Sequence, residues 1–390
     1  MLGDEQPRGG SLMKIKKGQR TMAQKNLSTP LENKVLMKRP RVPAEGKGEN
    51  TTVSLLDISL EGVHGSRILN ENGRLRVVAE LGHNGFSRQK RYDRIPAIRL
   101  RPKDINQTLL PEEIKGYRPS GLPTNFKPKL AKRTHTLPIS EGKDVDKGGT
   151  IFGNDDRYLF DDRSFPWRTT GKVRTVGQWG SGTTIGPRHV LTASHVVNWT
   201  GGDDGGVAWL TFSPGYFDGP GPWGEIAATQ VIFWEQAPGS LTDQQTAFDY
   251  VVLVMEERIG DIVGYPGYRT YNDGWNGGGY WQYIGYPGEL SSGERPAFQG
   301  GCVISTKQDE GLNGQSGYVL GHFNEFTPGQ SGGSVWGWWD DEPWPRVVGV
   351  GSTIGSTAVQ QPTGSTIGDN EYGGGPALSA LISWARSNFP

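Results

Sequence analysis

The most informative segment of the sequence is Phe326-Thr327-Pro328-Gly329-Gln330-Ser331-Gly332-Gly333-Ser334-Val335, in which a serine lies between glycines directly before a strand rich in Val and Trp. A serine hydroxyl is a weak nucleophile at its ordinary pKa, and it needs a general base and a site that stabilises negative charge. The glycines permit a tight turn in which the backbone N–H groups of Gly329 and Ser331 point inward as an oxyanion hole. The alternative is a turn without chemistry in a chain that contains 59 glycines.

Two further segments supply the groups that a reactive serine needs. Leu191-Thr192-Ala193-Ser194-His195-Val196-Val197 ends an apolar run with a histidine, and Ala247-Phe248-Asp249-Tyr250-Val251-Val252-Leu253 begins another with an aspartate. A single histidine or aspartate beside a strand is usually a polar residue with its hydrogen bonds satisfied. Together with Ser331, however, they form a set that predicts nucleophilic catalysis.

The chain order His195, Asp249, Ser331 is that of the chymotrypsin-type serine proteases, and it differs from the orders of subtilisins and α/β-hydrolases. The spacings of 54 and 82 residues leave room for one complete β-barrel and most of a second. We therefore predict Ser331 as the nucleophile, His195 as the general base and then acid, and Asp249 as the residue that orients the imidazole.

From about residue 150 onward the chain resembles the glutamyl endopeptidase family of trypsin-like serine proteases. The residues that carry the resemblance are Thr192–Val197, Phe248–Val252, Gly285-Tyr286-Pro287-Gly288, Gly329–Ser334, Val347–Gly351 and Gly373–Pro376, together with Asn154–Arg157 near the start of the region. The resemblance implies an endopeptidase that needs no cofactor or metal, acts on polypeptides as a monomer and is secreted after synthesis as a proform.

Short strands separated by Gly and Pro turns predict an all-β fold of two six-stranded antiparallel β-barrels, as in chymotrypsin. We place the first barrel at about 170–262, the second at about 278–372 and a C-terminal helix at about 377–388, all within a protease domain of residues 150–390. The helix is predicted because Leu378, Leu381, Ile382 and Ala385 recur at helical spacing after Pro376.

Charge divides the chain into two regions. Residues 1–149 contain 29 Lys and Arg against 16 Asp and Glu, whereas residues 150–390 contain 12 against 25 and hold all 13 tryptophans. The first region is predicted to be a basic, largely irregular and partly disordered leader or pro-region. Opposite charge could hold this leader on the acidic body.

The remaining composition narrows the class of protein. Cys302 is the single cysteine, so an intrachain disulfide is excluded, and the absence of a run of 18 apolar residues predicts no membrane span. The N-terminal residues lack the hydrophobic region of a signal peptide, so secretion is inferred from the resemblance alone.

Three features of the comparison with related proteases concern activation and specificity. Gln330 stands where chymotrypsin relatives have an Asp that pairs with a newly cut N-terminus, so activation by that ion pair is not expected. The family's pocket for substrate Glu uses a Thr and a His, but the matching positions here are Phe326 and Gly351. Thr150 matches the family's mature N-terminus.

These departures argue against a strict preference for Glu at P1, because a buried carboxylate without a partner is costly. We predict that the substrate pairs along the strand at Gly351 and Ser352, with Phe326 and Thr327 bordering the pocket. Glu325 would favour a basic P1 residue if its side chain faced inward.

Two other classes of function stay open at this point. One is a protease-fold binding protein without turnover, which labelling of Ser331 by a fluorophosphonate would exclude. The other is nucleic-acid binding through the basic runs at Lys14–Lys17 and Arg88–Arg91. No aromatic platform accompanies these runs, so nucleic acid is not a predicted partner.

Overall fold

A computed structural model describes residues 28–44, 63–71, 74–81, 93–105, 111–131, 151–152, 154–199, 206–237, 241–360 and 366–390. Thr150 and most of residues 1–50, which were expected to be disordered, fall outside these residues. Residues 28–44 are the exception, since they are described and Leu36 there is buried.

The described residues of the leader form one short α-helix and five strands. They are α1 (Asn33–Leu36), β1 (Val63–Glu71), β2 (Arg74–Leu81), β3 (Arg94–Ile95), β4 (Ala97–Arg99) and β5 (Glu113–Ile114). The strands β1 and β2 pair with each other as an antiparallel hairpin, whereas β4 and β5 pair with strands of the body.

The first part of the body forms a closed barrel. Its elements are β6 (Tyr158–Leu159), β7 (Thr170–Thr175), β8 (Gln178–Gly186), β9 (His189–Thr192), β10 (Val207–Ala208), β11 (Thr211–Pro214), β12 (Ile226–Phe233), α2 (Asp243–Ala247), β13 (Val251–Met255) and α3 (Ile259–Val263). The ring runs β11-β7-β8-β9-β13-β12 and closes because β11 also pairs with β12. Val251–Met255 is buried throughout and rich in β-branched residues, which suits its place between two neighbouring strands.

The second part of the body is one long sheet and two helices. Its elements are β14 (Gly267–Arg269), β15 (Trp281–Gly285), α4 (Gly288–Ser291), β16 (Ala297–Cys302), β17 (Ile304–Leu312), β18 (Gln315–His322), β19 (Ser334–Gly337), β20 (Arg346–Gln360), β21 (Thr366–Gly374) and α5 (Pro376–Asn388). The order β17-β18-β21-β20-β19-β15-β16 puts β17 and β16 at opposite ends, although Val303 alone connects them along the chain. The sheet must therefore curl until its ends meet.

The predicted all-β, chymotrypsin-like fold with a C-terminal helix is confirmed. The second sheet has ten strands rather than six, because β5, β6 and β14 extend a set of seven strands, β15 to β21. Helix α5 buries the predicted stripe of Leu378, Leu381, Ile382 and Ala385. It contacts the first barrel as well, since its Ala377 carbonyl accepts a hydrogen bond of 2.9 Å from Nε1 of Trp234.

The leader is attached by strand pairing and apolar packing rather than by charge alone. Strand β4 pairs with β12 at Val231–Phe233, beyond the two residues of β12 that face β11. An unpaired strand edge of this kind readily accepts another strand. Leu36 is fully buried in an apolar cluster with Phe126, Phe165 and Trp338. The leader, predicted to be largely irregular, thus includes segments that are part of the packed structure.

Candidate active site

His195 and Asp249 are brought together by the pairing of two strands. His195 lies in a 3₁₀ turn just after β9, and Asp249 lies just before β13. The two strands are antiparallel neighbours in which Thr192, the last residue of β9, faces Val251, the first residue of β13. Because the end of one strand meets the start of the other, the two side chains leave the barrel at the same point.

Asp249 is fully buried and accepts three hydrogen bonds. Its Oδ2 lies 2.6 Å from Nδ1 of His195, and its Oδ1 accepts a bond of 2.9 Å from the backbone N–H of the same residue. The hydroxyl of Ser352 donates to Oδ2 at 2.6 Å. With Nδ1 engaged in this way, Nε2 is the imidazole nitrogen available to a nucleophile.

The environment of the imidazole changes its proton affinity. Burial lowers the pKa of His195, but the charge of Asp249 and its hydrogen bond outweigh that effect, so the pKa is raised above its ordinary value of 6.5. A base with a raised pKa accepts the proton of a serine hydroxyl more readily, provided that it starts neutral.

Ser331 lies in a turn that the first barrel holds in place. The backbone carbonyl of Ser331 accepts a hydrogen bond of 2.7 Å from the N–H of Ser181 in β8, and the Ser181 hydroxyl donates to the carbonyl of Gly329 at 2.8 Å. Gly329 and Gly332 have φ values of 95° and 82°, which other residues rarely adopt. Within the described part of the chain, the N–H groups of Gly329 and Ser331 donate to no protein acceptor. Both are therefore available to bind an oxyanion.

A pocket of about 230 Å³ joins these groups. Its walls come from both sheets and include Trp179, His195, Leu241, Gly329, Ser331 and Thr353. The described residues of the leader do not line it. The structure thus brings His195, Ser331 and the oxyanion donors to one open cleft, with Asp249 directly behind the imidazole.

The four residues predicted to contact substrate lie in different surroundings. Ser352 lines the pocket, but its hydroxyl is bonded to Asp249. Phe326 is fully buried, and its ring centroid lies 6.0 Å from that of Tyr283. Gly351 and Thr327 are also buried, and Oγ1 of Thr327 donates to a carboxylate oxygen of Glu289 at 2.7 Å.

Gly351 has no space for the histidine that the family has at this position. A Cβ atom added there would lie 2.2 Å from the hydroxyl of Tyr283 and 2.8 Å from the ring of Phe326. The two aromatic side chains thus occupy the volume that an imidazole would need.

The side chain of Glu325 faces away from the pocket. It is buried beside Asp156, and the pocket lining does not include it. Burial, together with the nearby Asp156, raises the pKa of the Glu325 carboxyl to about 8. Glu325 therefore does not place a carboxylate at the bottom of the described cleft, and the orientation of this side chain could not be read from sequence.

Three supporting contacts have little signal in the sequence. Ser181 holds the serine turn, Ser352 holds Asp249, and Arg157 contacts the residue before the nucleophile. In the sequence, Asn154–Arg157 resembles only the start of mature family members. Among the described residues, no group of three or more His, Cys, Asp or Glu side chains could hold a metal ion, and no helix is long and apolar enough to cross a membrane.

Comparison with known proteins gives partial matches, and no family model matches the chain. It is 28% identical over 188 residues to the glutamyl endopeptidase of Bacillus licheniformis, covering 48% of this chain and 54% of that protein. It is 30% identical over 130 residues to a protein of Bacillus subtilis named extracellular metalloprotease, covering 32% and 40% of the two chains. The chain thus spans about half or less of the curated relatives it matches.

Solved structures give likenesses of the same partial kind. A Glu endopeptidase in complex with MPD superposes with a TM-score of 0.47 at 20% identity, covering 61% of this chain and all of that one. The protease Anisep from Arthrobacter nicotinovorans gives 0.41 at 22% identity, covering 59% and 99%. The sequence similarity to the Bacillus licheniformis enzyme confirms the predicted resemblance to the glutamyl endopeptidase family of trypsin-like serine proteases.

Proposed function

We propose that the chain is a serine endopeptidase that hydrolyses peptide bonds through an acyl-enzyme. The observation that carries this proposal is the 2.6 Å contact between Asp249 and Nδ1 of His195 at a pocket that also contains Ser331. The similarity to a glutamyl endopeptidase supports a polypeptide substrate.

In the first half of the reaction, His195 takes the proton of the Ser331 hydroxyl as its Oγ attacks the peptide carbonyl. The N–H groups of Gly329 and Ser331 bind the oxyanion that forms, and buried Asp249 stabilises the imidazolium. His195 then gives its proton to the leaving amine. In the second half, His195 deprotonates a water molecule that attacks the acyl-enzyme, and it then gives this proton to Oγ of Ser331 as the acyl–oxygen bond breaks and the acid product is released.

The surroundings of Gly351 and Phe326 support a substrate preference other than strict P1 Glu. The two groups that would bind a glutamate carboxylate in the family are replaced here, and Tyr283 fills the volume of the missing imidazole. Profiling cleavage of a peptide library tests this part of the proposal. A preference for P1 Glu over Gln of about a hundredfold, or about 2.7 kcal/mol, would contradict it.

Secretion and synthesis as a proform belong to the same proposal. The name of the Bacillus subtilis relative, extracellular metalloprotease, supports the first, and the opposite charges of leader and body are compatible with the second. N-terminal sequencing of the purified protein would identify the processing site. The monomeric state and the absence of nucleic-acid and membrane partners stay predictions.

Labelling by a fluorophosphonate, combined with peptide hydrolysis, tests the central proposal. We expect the probe to attach to Ser331 and to abolish cleavage of a denatured protein substrate. Ser331→Ala should neither label nor cleave, while its unfolding transition stays that of the unchanged protein. If the wild-type protein folds but is neither labelled nor active, the result would instead indicate a protease-fold binding protein.

A further inference from the structure

Arg157 is buried between the start of the body and the loop that precedes the nucleophile. Its side chain is 0% exposed and bonds to four other side chains. It donates from Nε and Nη2 to the two oxygens of Asp155, at 2.9 and 2.7 Å, and from Nη2 to Glu289 at 2.6 Å. Its Nη1 donates to Oγ1 of Thr327 at 2.8 Å and to Oε1 of Gln330.

The contact with Gln330 fixes the turn that carries the oxyanion donors. Oε1 of Gln330 also accepts a bond of 3.1 Å from the N–H of Thr327, and the N–H of Gln330 donates back to the Thr327 carbonyl at 3.0 Å. The Gln330 carbonyl accepts from the hydroxyl of Tyr283 at 2.6 Å. Since Gln330 stands between Gly329 and Ser331, its position determines where their N–H groups point.

The charges around Arg157 explain why it can stay buried. A guanidinium without partners would be costly in this position, but Asp155 binds it in the bidentate geometry and Glu289 adds a second carboxylate. Gln330 carries no charge, so it accepts the hydrogen bond without changing the net charge around Arg157. All these groups belong to one continuous chain, and the arrangement uses no free amino terminus.

We infer that Arg157 is a positioning residue that holds the Thr327–Ser331 turn in the conformation competent for catalysis, and that it does so before the leader is cleaved. The inference rests on the proposed function and deepens it. On this inference the oxyanion hole is already formed in the uncut chain, because the guanidinium of Arg157 contacts Gln330, the residue that precedes the nucleophile.

Arg157→Met in the full chain tests the inference. We expect kcat/KM to fall by about a hundredfold to a thousandfold, the loss typical of removing one oxyanion donor. KM should change little, and affinity for a peptide boronate, which mimics the tetrahedral intermediate, should fall in parallel with kcat/KM. All rates are expressed per active site titrated with a fluorophosphonate, so that misfolded protein does not count.

Arg346→Met is the matched control. Arg346 is also buried and is paired with Glu342, but it is the first residue of β20 and does not line the pocket. We expect this variant to lose thermal stability while kcat and boronate affinity per titrated site stay unchanged. If Arg157 had only a structural role, Arg157→Met would likewise lose thermal stability while its kcat and boronate affinity per titrated site stayed unchanged.

Gln330→Met keeps the inference testable if Arg157→Met fails to fold, because Arg157 then retains both carboxylates. We expect a loss similar to that of Arg157→Met, and a double variant no worse than either single one. Normal kcat/KM per titrated site in Gln330→Met, or in Arg157→Met where it folds, overturns the inference. If Ser331 of the wild-type protein does not react with the fluorophosphonate, the proposed function itself is overturned.

The mass of the labelled chain tests whether the turn is formed before the leader is cleaved. The 390-residue chain is exposed briefly to the fluorophosphonate, and the intact products are weighed. We expect the label on the full-length chain at a rate equal to that of any shortened form. Label confined to shortened chains would show that cleavage, and not Arg157, completes the turn.

Discussion

His195 follows one strand of the first barrel and Asp249 precedes the antiparallel neighbour of that strand, whereas Ser331 lies in a turn before β19, outside the strands of the second sheet. On the imidazole side of the cleft, which holds His195 and Asp249, the pairing of Thr192 with Val251 positions the backbone of both residues. Only the hydrogen bonds of their side chains are then needed to complete this side. On the serine side, glycine conformations, Ser181 and the Gln330 side chain hold the turn.

This difference indicates how each side should respond to substitution. On the imidazole side, removing a side chain should remove chemistry and leave the backbone in place. On the serine side, small changes to the backbone should impair catalysis even where no reacting group is touched. The predictions below test this contrast, beginning with the largest expected effect.

The triad variants Ser331→Ala and His195→Ala should each lower kcat by about 10⁶-fold, because groups that act as a unit fail as a unit. Both should unfold at the temperature of the unchanged protein. Peptidase assays and calorimetry measure the two quantities. Near-normal turnover in Ser331→Ala would exclude the serine mechanism.

Asp249→Asn should lower kcat by about 10⁴-fold, because the amide favours the wrong imidazole tautomer. The pH profile should change as well. Asp249 raises the pKa of His195, so the acid limb of kcat/KM in the unchanged protein should lie above pH 6.5. Below that limb the imidazole is protonated and cannot act as a base. In the variant, burial lowers the pKa of His195 without the opposing effect of the Asp249 charge, so the acid limb should move to lower pH. An acid limb that stays in place would show that Asp249 does not control the titration of His195.

Gly332→Ala tests the backbone on the serine side. The added Cβ would lie 2.2 Å from Oγ1 of Thr192 and 2.3 Å from the Ser181 carbonyl, at a φ of 82°. We expect kcat/KM to fall by about a hundredfold or more, with a loss of stability of about 1–3 kcal/mol from strain and overpacking.

Gly314→Ala is the control for Gly332→Ala. Gly314 has a φ of 80°, but an added Cβ there meets nothing within 4 Å. It should lose about 1–2 kcal/mol of stability from the left-handed conformation alone and keep its kcat. Equal kinetic effects in the two variants would contradict the proposed sensitivity of the serine turn.

Ser352→Ala should have a smaller effect, about tenfold on kcat, since one hydrogen bond to a charged group is lost while Asp249 keeps its bonds to His195. Ser334→Ala is the matched control, because the Ser334 hydroxyl is buried without a hydrogen-bond partner among the described residues. Equal kcat values for these two variants would show that Ser352 does not support Asp249.

Leu36→Ala should change kcat least, because its site lies in the leader, outside both sides of the cleft. The fully buried side chain packs in the cluster with Phe126, Phe165 and Trp338, so its truncation should lower the free energy of unfolding by about 2–5 kcal/mol. Chemical denaturation measures this loss. An unfolding free energy equal to that of the unchanged protein would indicate that the leader is not part of the stable structure.

The sequence was sufficient for those features that depend on short-range pattern. Runs such as Val251–Met255 predicted buried strands, and the spacing of Leu378, Leu381 and Ile382 predicted the C-terminal helix, because burial imposes a fixed period on each kind of element. The order of His195, Asp249 and Ser331 predicted a chymotrypsin-like fold, since unrelated folds use other orders.

Only the tertiary structure decided the features that join distant residues. The pairing of β4 with β12, the side-chain direction of Glu325 and the contact of Arg157 with Gln330 depend on which surfaces meet after folding. A polar side chain in a sequence shows which bonds it can make, but its partner is determined by long-range packing. The sequence therefore determined the reacting groups and the class of fold, and the packing of the chain determined the contacts that hold those groups in position.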